Sequence, residues 1–170
     1  PGFMAIVGES DAQARALYKE LQALIDDTTA MRLLARLCGE LDIHAYPLDG
    51  PLPHLPPSNA AKARQAHLMA KARDENLTVR QVARYLGTSL GHQLVVGSPT
   101  RIADVMQEWL ESDACDGFTL MFPFYTKPLE DFVRLVVPEL QRRGIYRTGY
   151  AGRTLRENLG VPVPRRRWAG

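Results

Sequence analysis

Three times along this chain a short apolar run is stopped by glycine or proline and followed at once by residues with helical caps and helical spacing. That repeat constrains the fold more than any other feature. A run of about five apolar residues without polar alternation suits a strand covered on both faces, the condition of a parallel sheet. The first is Phe3-Met4-Ala5-Ile6-Val7, ended by Gly8; Ser10 and Gln13 then have capping-box spacing, and Leu17, Leu21, Leu24 and Ile25 form one helical face. The second is His92-Gln93-Leu94-Val95-Val96, ended by Gly97. Ser98 follows as an N-cap with Pro99 at the first helical position, and Ile102, Val105, Met106, Trp109 and Leu110 recur at helical intervals. The third is Phe118-Thr119-Leu120-Met121-Phe122, turned by Pro123 into a helix whose face is Leu129, Phe132, Val133, Val136, Val137 and Leu140, with Gly144 placed to end it. Pro138, inside that helix, predicts a kink or a division, because it lacks an amide donor and crowds the preceding turn.

Alternation of strand and helix implies right-handed βαβ crossovers and the α/β class. An eight-stranded (β/α) barrel takes about 250 residues, so three units are expected to be the C-terminal portion of such a barrel, incomplete as given. The chain opens on Pro1-Gly2 and enters a strand directly, which reads as the latter part of something longer. The organisation is one partial domain: a βα unit over 1–27, an insertion over 28–90, two βα units over 91–144 and a tail over 145–170. The insertion holds Leu48-Asp49-Gly50-Pro51-Leu52-Pro53-His54-Leu55-Pro56-Pro57, too proline-rich for a helix or a central strand and therefore an extended surface loop. Residues 31–37 and 60–73 around it read as helices, and Thr78 with Gln81 caps another through Leu86. An insertion of this size on a barrel carries specificity or assembly, because the barrel holds itself together without it.

Composition excludes several classes. At 170 residues, 45% hydrophobic and 24% charged, the chain has the balance of an ordinary globular protein. A formal charge of +2 is too close to neutral for a general polyanion binder, although Arg165, Arg166 and Arg167 crowd the end. Cys38 and Cys115 stand far apart without partners at ligand spacing, which supports neither a disulfide scaffold nor a metal site and fits a cytoplasmic setting. No apolar run approaches the roughly 20 residues of a membrane span.

Chemistry-bearing motifs are few. There is no P-loop, no G-x-G-x-x-G, no H-E-x-x-H and no G-x-S-x-G elbow. His44, His54 and His67 lie in the insertion with no second ligand three or four residues on, and read as surface or loop histidines. His92 differs, since it stands between Gly91 and a strand where its ring can project toward a barrel mouth; a neutral imidazole donates to an oxygen and a charged one stabilises an anion, against the plainer reading of a packed or capping histidine. Phe122-Pro123-Phe124-Tyr125 ends the third strand, at the face where barrel active sites are built, and either lines a pocket or plugs the core. Residues 77–97 also admit a helix-turn-helix DNA reader, but the stretch where a recognition helix belongs carries Gly91, Gly97 and the Val95-Val96 pair.

Several segments coincide in order with one family: Pro1-Gly2 before a strand, Gly8 before an Ala-rich helix, Tyr46-Pro47-Leu48-Asp49-Gly50-Pro51-Leu52-Pro53, Gly91-His92, Val96-Gly97-Ser98-Pro99 with Ile102-Ala103-Asp104, Asp116-Gly117-Phe118, Asp131-Phe132-Val133, Val137-Pro138-Glu139-Leu140-Gln141-Arg142-Arg143-Gly144 and Thr154-Leu155-Arg156-Glu157-Asn158-Leu159-Gly160. The chain resembles, over essentially its whole length, the C-terminal part of the bacterial luciferase-like flavin monooxygenases, in the branch of nitrilotriacetate, pristinamycin-synthase and dibenzothiophene-sulfone monooxygenases. The resemblance implies a (β/α)8 barrel that receives reduced FMN from a separate NAD(P)H:flavin reductase. It implies formation of a C4a-peroxyflavin with O2 and oxygenation of a small organic substrate, commonly beside nitrogen or sulfur. The hard chemistry belongs to the cofactor. Most flavin contacts in that family come from earlier strands, so no cofactor-binding residue transfers to this chain. His92 matches a histidine that faces the flavin and substrate pocket in the long-chain alkane relative, and is the catalytic candidate. Phe122 and Tyr125 follow as pocket walls, and residues 150–160 as a tail packing on the barrel or on a neighbouring subunit.

The primary expectation is thus a fragment of a two-component flavin monooxygenase, inactive alone and homo-oligomeric when full length, with neither a metal, a nucleic acid nor a membrane as partner. A non-catalytic barrel subunit for assembly or flavin binding is the alternative, and a DNA reader the minor one.

Overall fold

A computed structural model describes residues 1–39, 41–55 and 62–164. Pro56, Pro57, Ala60 and the triplet Arg165, Arg166, Arg167 lie outside the described residues. All three expected strands form and pair in parallel: β1 (Gly2–Val7), β2 (Gln93–Gly97) and β3 (Thr119–Met121). β1 pairs with β2 from Phe3 opposite Gln93 to Val7 opposite Gly97, and with β3 from Gly2 opposite Thr119 to Met4 opposite Met121. The sheet order is β2-β1-β3, with the first strand in the middle. Burial explains the choice. Residues 3–7 are all buried, whereas β2 is buried only at Val95 and Gly97 and β3 at none of its residues, so the most apolar strand takes the place with neighbours on both edges.

α1 (Asp11–Leu24) follows β1. The Ser10 hydroxyl accepts from the Gln13 amide at 3.2 Å, while the Gln13 side chain accepts from Glu9 rather than from Ser10, so the expected box closes one residue early. Leu17 and Leu21 face the sheet beside Ile6, but Leu24 is 81% exposed and leaves the expected apolar face, because the helix ends there and the chain turns outward. α5 (Pro99–Glu111) begins as read, with Ser98 as N-cap and Pro99 in the first turn. It lies on the opposite face of the sheet from α1, and its Ile102, Ala103 and Met106 join Phe3, Ala5, Val7 and Val95 in one core.

The last long helical stretch is α6 (Lys127–Asp131), a π-helical turn over Phe132–Val136 and α7 (Val137–Arg142). The expected division thus takes the form of a π-helical turn just before Pro138, which separates α6 from α7. The amide of Val137 reaches back to the Phe132 carbonyl, and the wider turn absorbs the donor that Pro138 lacks. Phe132, Val136 and Leu140 are buried in the sheet core, while Leu129 and Val133 stay exposed. Gly144 ends the helix with a positive φ of 74°.

The insertion builds a second core. α2 (Asp27–Cys38), longer than the helix read from sequence, α3 (Lys62–Asp74) and α4 (Val79–Ser89) enclose Leu34, Ile43, Leu68, Val79 and Val82, all essentially inaccessible. Thr78 and Gln81 form the full capping box on α4. The proline-rich loop is pinned to that helix start, since Val79 and Arg80 donate their amides to the carbonyls of Gly50 and Leu48 at 2.9 and 2.8 Å. Asp27 bridges α2 to α4 through Arg80 and Arg84. The helix-turn-helix reading fails here: Leu90 adopts a left-handed conformation after α4, and the residues that would follow as a recognition helix are strand β2.

Candidate functional site

In parallel α/β folds ligand sites are built at the C-terminal ends of the strands. Here that end carries Gly8, Gly97 and Phe122. The Gly8 amide donates to the Gly97 carbonyl at 3.2 Å, which brings the starts of α1 and α5 side by side. Asp11, in the first turn of α1, accepts the Ser98 amide at 2.7 Å, and that bond holds its carboxyl below the ordinary carboxylate range. A methyl group at Gly97 would stand 2.5 Å from Arg101 Cδ and 3.0 Å from an Asp11 oxygen, so the space beside this glycine is already filled by the chain itself.

The aromatic cluster lies at the same end. Phe122 and Tyr125 meet edge to face with centroids 6.0 Å apart, and Phe122 meets Phe132 in the same way at 6.0 Å. Phe122 is half-buried and anchored to the core through Phe132, whereas Tyr125 is 69% exposed. The two expected wall residues are therefore brought together, one fixed and one free to contact a ligand.

His92 is not brought to them. It precedes β2 and lies at the N-terminal end of the sheet, its ring against Gly2 at the start of β1. With a rise of about 3.3 Å per residue, the length of the strands separates it from Phe122 and Tyr125. The expectation that its ring projects toward the mouth reverses the strand's direction: a residue entering a strand belongs to the end opposite the one where the strand delivers its side chains to a ligand. The His92 carbonyl accepts from the Tyr85 hydroxyl at 3.3 Å, which joins this corner to the insertion.

The Ser98 turn does not offer a flavin phosphate site. The first amide of the Ser98 turn is taken by a carboxylate, whose charge repels a second anion, and the adjoining glycine leaves no open cradle. What this end of the sheet supplies is apolar ring surface at Phe122 and Tyr125. Cys38 is buried, and burial pushes its thiol up to about 11, which removes it as a nucleophile. His44, His54 and His67 are all exposed; His67 lies 3.4 Å from the Tyr85 hydroxyl. Among the described residues no group of three or more His, Cys, Asp or Glu is placed to hold a metal ion, and no helix is long and apolar enough to cross a membrane.

Sequence reasoning missed Asp11 as a member of this end of the sheet. Its signal was present only as an acidic residue in the first turn of a helix, and the partner that gives it meaning lies 87 residues away.

No family model matches the chain. It is 44% identical over 99% of its length to the N-acetyl-S-(2-succino)cysteine monooxygenase of Bacillus subtilis, covering 39% of that protein. It is 43% identical over 98% to a pristinamycin IIA synthase polypeptide of Streptomyces pristinaespiralis and 39% identical over 97% to a nitrilotriacetate monooxygenase component of Aminobacter aminovorans, covering 38% and 37% of them. The chain thus spans under two fifths of the length of these curated relatives. Among solved structures, DmoA from Hyphomicrobium sulfonivorans superposes with a TM-score of 0.76 at 26% identity, over 93% of this chain and 33% of that one. A riboflavin lyase solved with modified FMN and riboflavin gives 0.65 at 28% identity, over 93% and 34%.

Proposed function

Because the chain belongs to the luciferase-like monooxygenases, a (β/α)8-barrel family, we propose that it is the C-terminal portion of a cytoplasmic, homo-oligomeric, two-component monooxygenase. The whole protein takes reduced FMN from a separate NAD(P)H:flavin reductase and uses O2 to oxygenate a small organic substrate beside a nitrogen or sulfur atom. The reading is carried by identity of 39–44% to monooxygenases over nearly all of the chain, together with an aromatic pair at the strand end where such folds place their ligands.

Bound reduced flavin supplies the electrons for oxygen activation. The contribution of these residues is narrower. Phe122, seated on Phe132, offers a fixed apolar wall, and Tyr125 offers a movable one beside it. Such walls keep water from a reactive centre and orient an apolar substrate edge. The phosphate is held by residues other than the described ones, since Asp11 occupies the helix start nearest to the site. His92, at the far end, positions the opening of β1 against β2.

The test is a titration of the full-length protein with reduced and with oxidised FMN, followed by exposure to O2. Preferential binding of reduced FMN with oxygen-dependent product formation is expected. Binding of oxidised FMN without turnover identifies instead a non-catalytic barrel subunit.

A further inference from the structure

The final described stretch, residues 147–164, is held in shape by its own polar groups. In α8 (Leu155–Asn158), Thr154 and Glu157 form a capping box, and the Glu157 carboxylate also accepts the Arg153 amide at 2.6 Å. The Asn158 side chain closes the loop before it, donating to the carbonyls of Gly152 and Thr154 at 3.0 and 2.7 Å and accepting the Gly152 amide at 2.9 Å. Yet Leu155 and Leu159 are 75% and 65% exposed. An arm whose polar groups are satisfied internally while its leucines face water has lost its conformational freedom without burying apolar surface. That is the state of a preorganised docking element.

At the root of the arm lies an unfilled apolar groove of about 510 Å3 between α5 and the α6–α7 stretch, walled by Leu110, Phe118, Val133 and Ile145. In its own copy the arm turns away from this groove at Arg147, whose guanidinium stacks on Tyr146 and Tyr150 at 4.7 and 4.6 Å. The charges of arm and groove are opposite. From Arg101 to Lys127 there is no basic residue, and Glu108, Glu111, Asp113 and Asp116 follow one another along the rim. From Ile145 onward Glu157 is the single acid, against Arg147, Arg153 and Arg156. None of these four acids and three arginines makes an ion pair among the described residues.

We propose that the arm of one copy seats Leu155 and Leu159 in the groove of a second copy, with Arg153 and Arg156 over its acidic rim, in a reciprocal arm-exchanged dimer. A two-fold axis makes both contacts at once, since each copy gives an arm and receives one. The inference deepens the expectation of self-association and does not depend on the flavin chemistry.

The experiment is sedimentation equilibrium on the 170-residue chain, on an arm variant, Leu155→Asp with Leu159→Asp, and on a groove variant, Val133→Lys with Asp116→Lys. The parent is expected to be a dimer that weakens severalfold as NaCl is raised. Each variant alone is expected to associate at least tenfold more weakly, and an equimolar mixture of the two to regain a dimer, because one intact arm then meets one intact groove. Should a variant lose its far-ultraviolet dichroism, Arg153→Glu with Arg156→Glu replaces the arm pair and Glu108→Arg with Glu111→Arg the groove pair, all at exposed positions. A parent that dimerises equally well in both variants uses another surface, which overturns the arm contact but not self-association. A parent that is monomeric throughout overturns both, and a mixture of folded variants that stays monomeric overturns the arm contact.

Discussion

The imidazole of His92 lies over the α-carbon of Gly2, so close that a methyl group on Gly2 would stand 2.5 Å from Nδ1 and 2.9 Å from Cγ. This contact sets the spacing of the β1 and β2 openings, one pair before the register begins at Phe3 opposite Gln93.

Gly2→Ala must therefore push the ring aside or part the strands, and overpacking of this kind costs about 1–3 kcal/mol. His92→Ala removes the obstacle. A double-mutant cycle by urea unfolding is expected to show Gly2→Ala destabilising in the presence of His92 and nearly neutral in its absence. Additive effects would show that the two residues do not meet.

Much of the local structure was legible because it rests on contacts between near neighbours. Ser98 with Pro99 and Thr78 with Gln81 announce α5 and α4 by spacing alone, and both caps form as read. The position of β3 was not legible. Its pairing with β1 across the whole insertion depends on which strand has the most apolar surface to cover on both edges, a competition that no local pattern records. His92 shows the same limit at the site. Its sequence neighbours place it beside a strand, but which end of a parallel sheet it occupies depends on strand direction. Phe122 and Tyr125 lie after a strand, and that fact alone puts them at its C-terminal end.

The insertion core is separate from the sheet core, and Leu34 is fully buried in the former. Leu34→Ala is expected to cost about 2–5 kcal/mol locally. In hydrogen exchange, α2 and α4 amides should lose protection first while β1 amides hold theirs. Equal loss in both regions would show one cooperative unit.

Glu139 ties α7 to α5. Hydrogen bonds from Arg142 and then Arg143 hold its carboxyl down to about 2, against an ordinary 4.5, and Arg143 continues to Asp104 at 2.7 Å. A carboxyl depressed on folding stabilises fully above its unfolded value and loses that effect as pH falls through its folded value. Its contribution is thus complete above pH 4.5, declines from there toward 2 and is absent below. Glu139→Gln should lower the urea midpoint at pH 7 and show a shallower acid limb across this window. An unchanged acid limb would assign the linkage to other carboxylates.

Tyr125 and His92 separate stability from function in the full-length enzyme. Tyr125 is 69% exposed and its ring touches Phe122, so Tyr125→Ala removes little core and opens the wall beside the proposed pocket. Water admitted there diverts oxygen chemistry to peroxide. Tyr125→Ala is therefore expected to leave the unfolding free energy within about 0.5 kcal/mol of the parent, as for ordinary surface substitutions. It should raise the ratio of hydrogen peroxide to product severalfold. His92→Ala, at the opposite end of the strands, is expected to leave that ratio unchanged and to act only through the packing of Gly2. The measurement is peroxide and product per reduced FMN consumed, on both variants beside the parent. A change of the ratio in His92→Ala with none in Tyr125→Ala would move the site to the other end of the sheet.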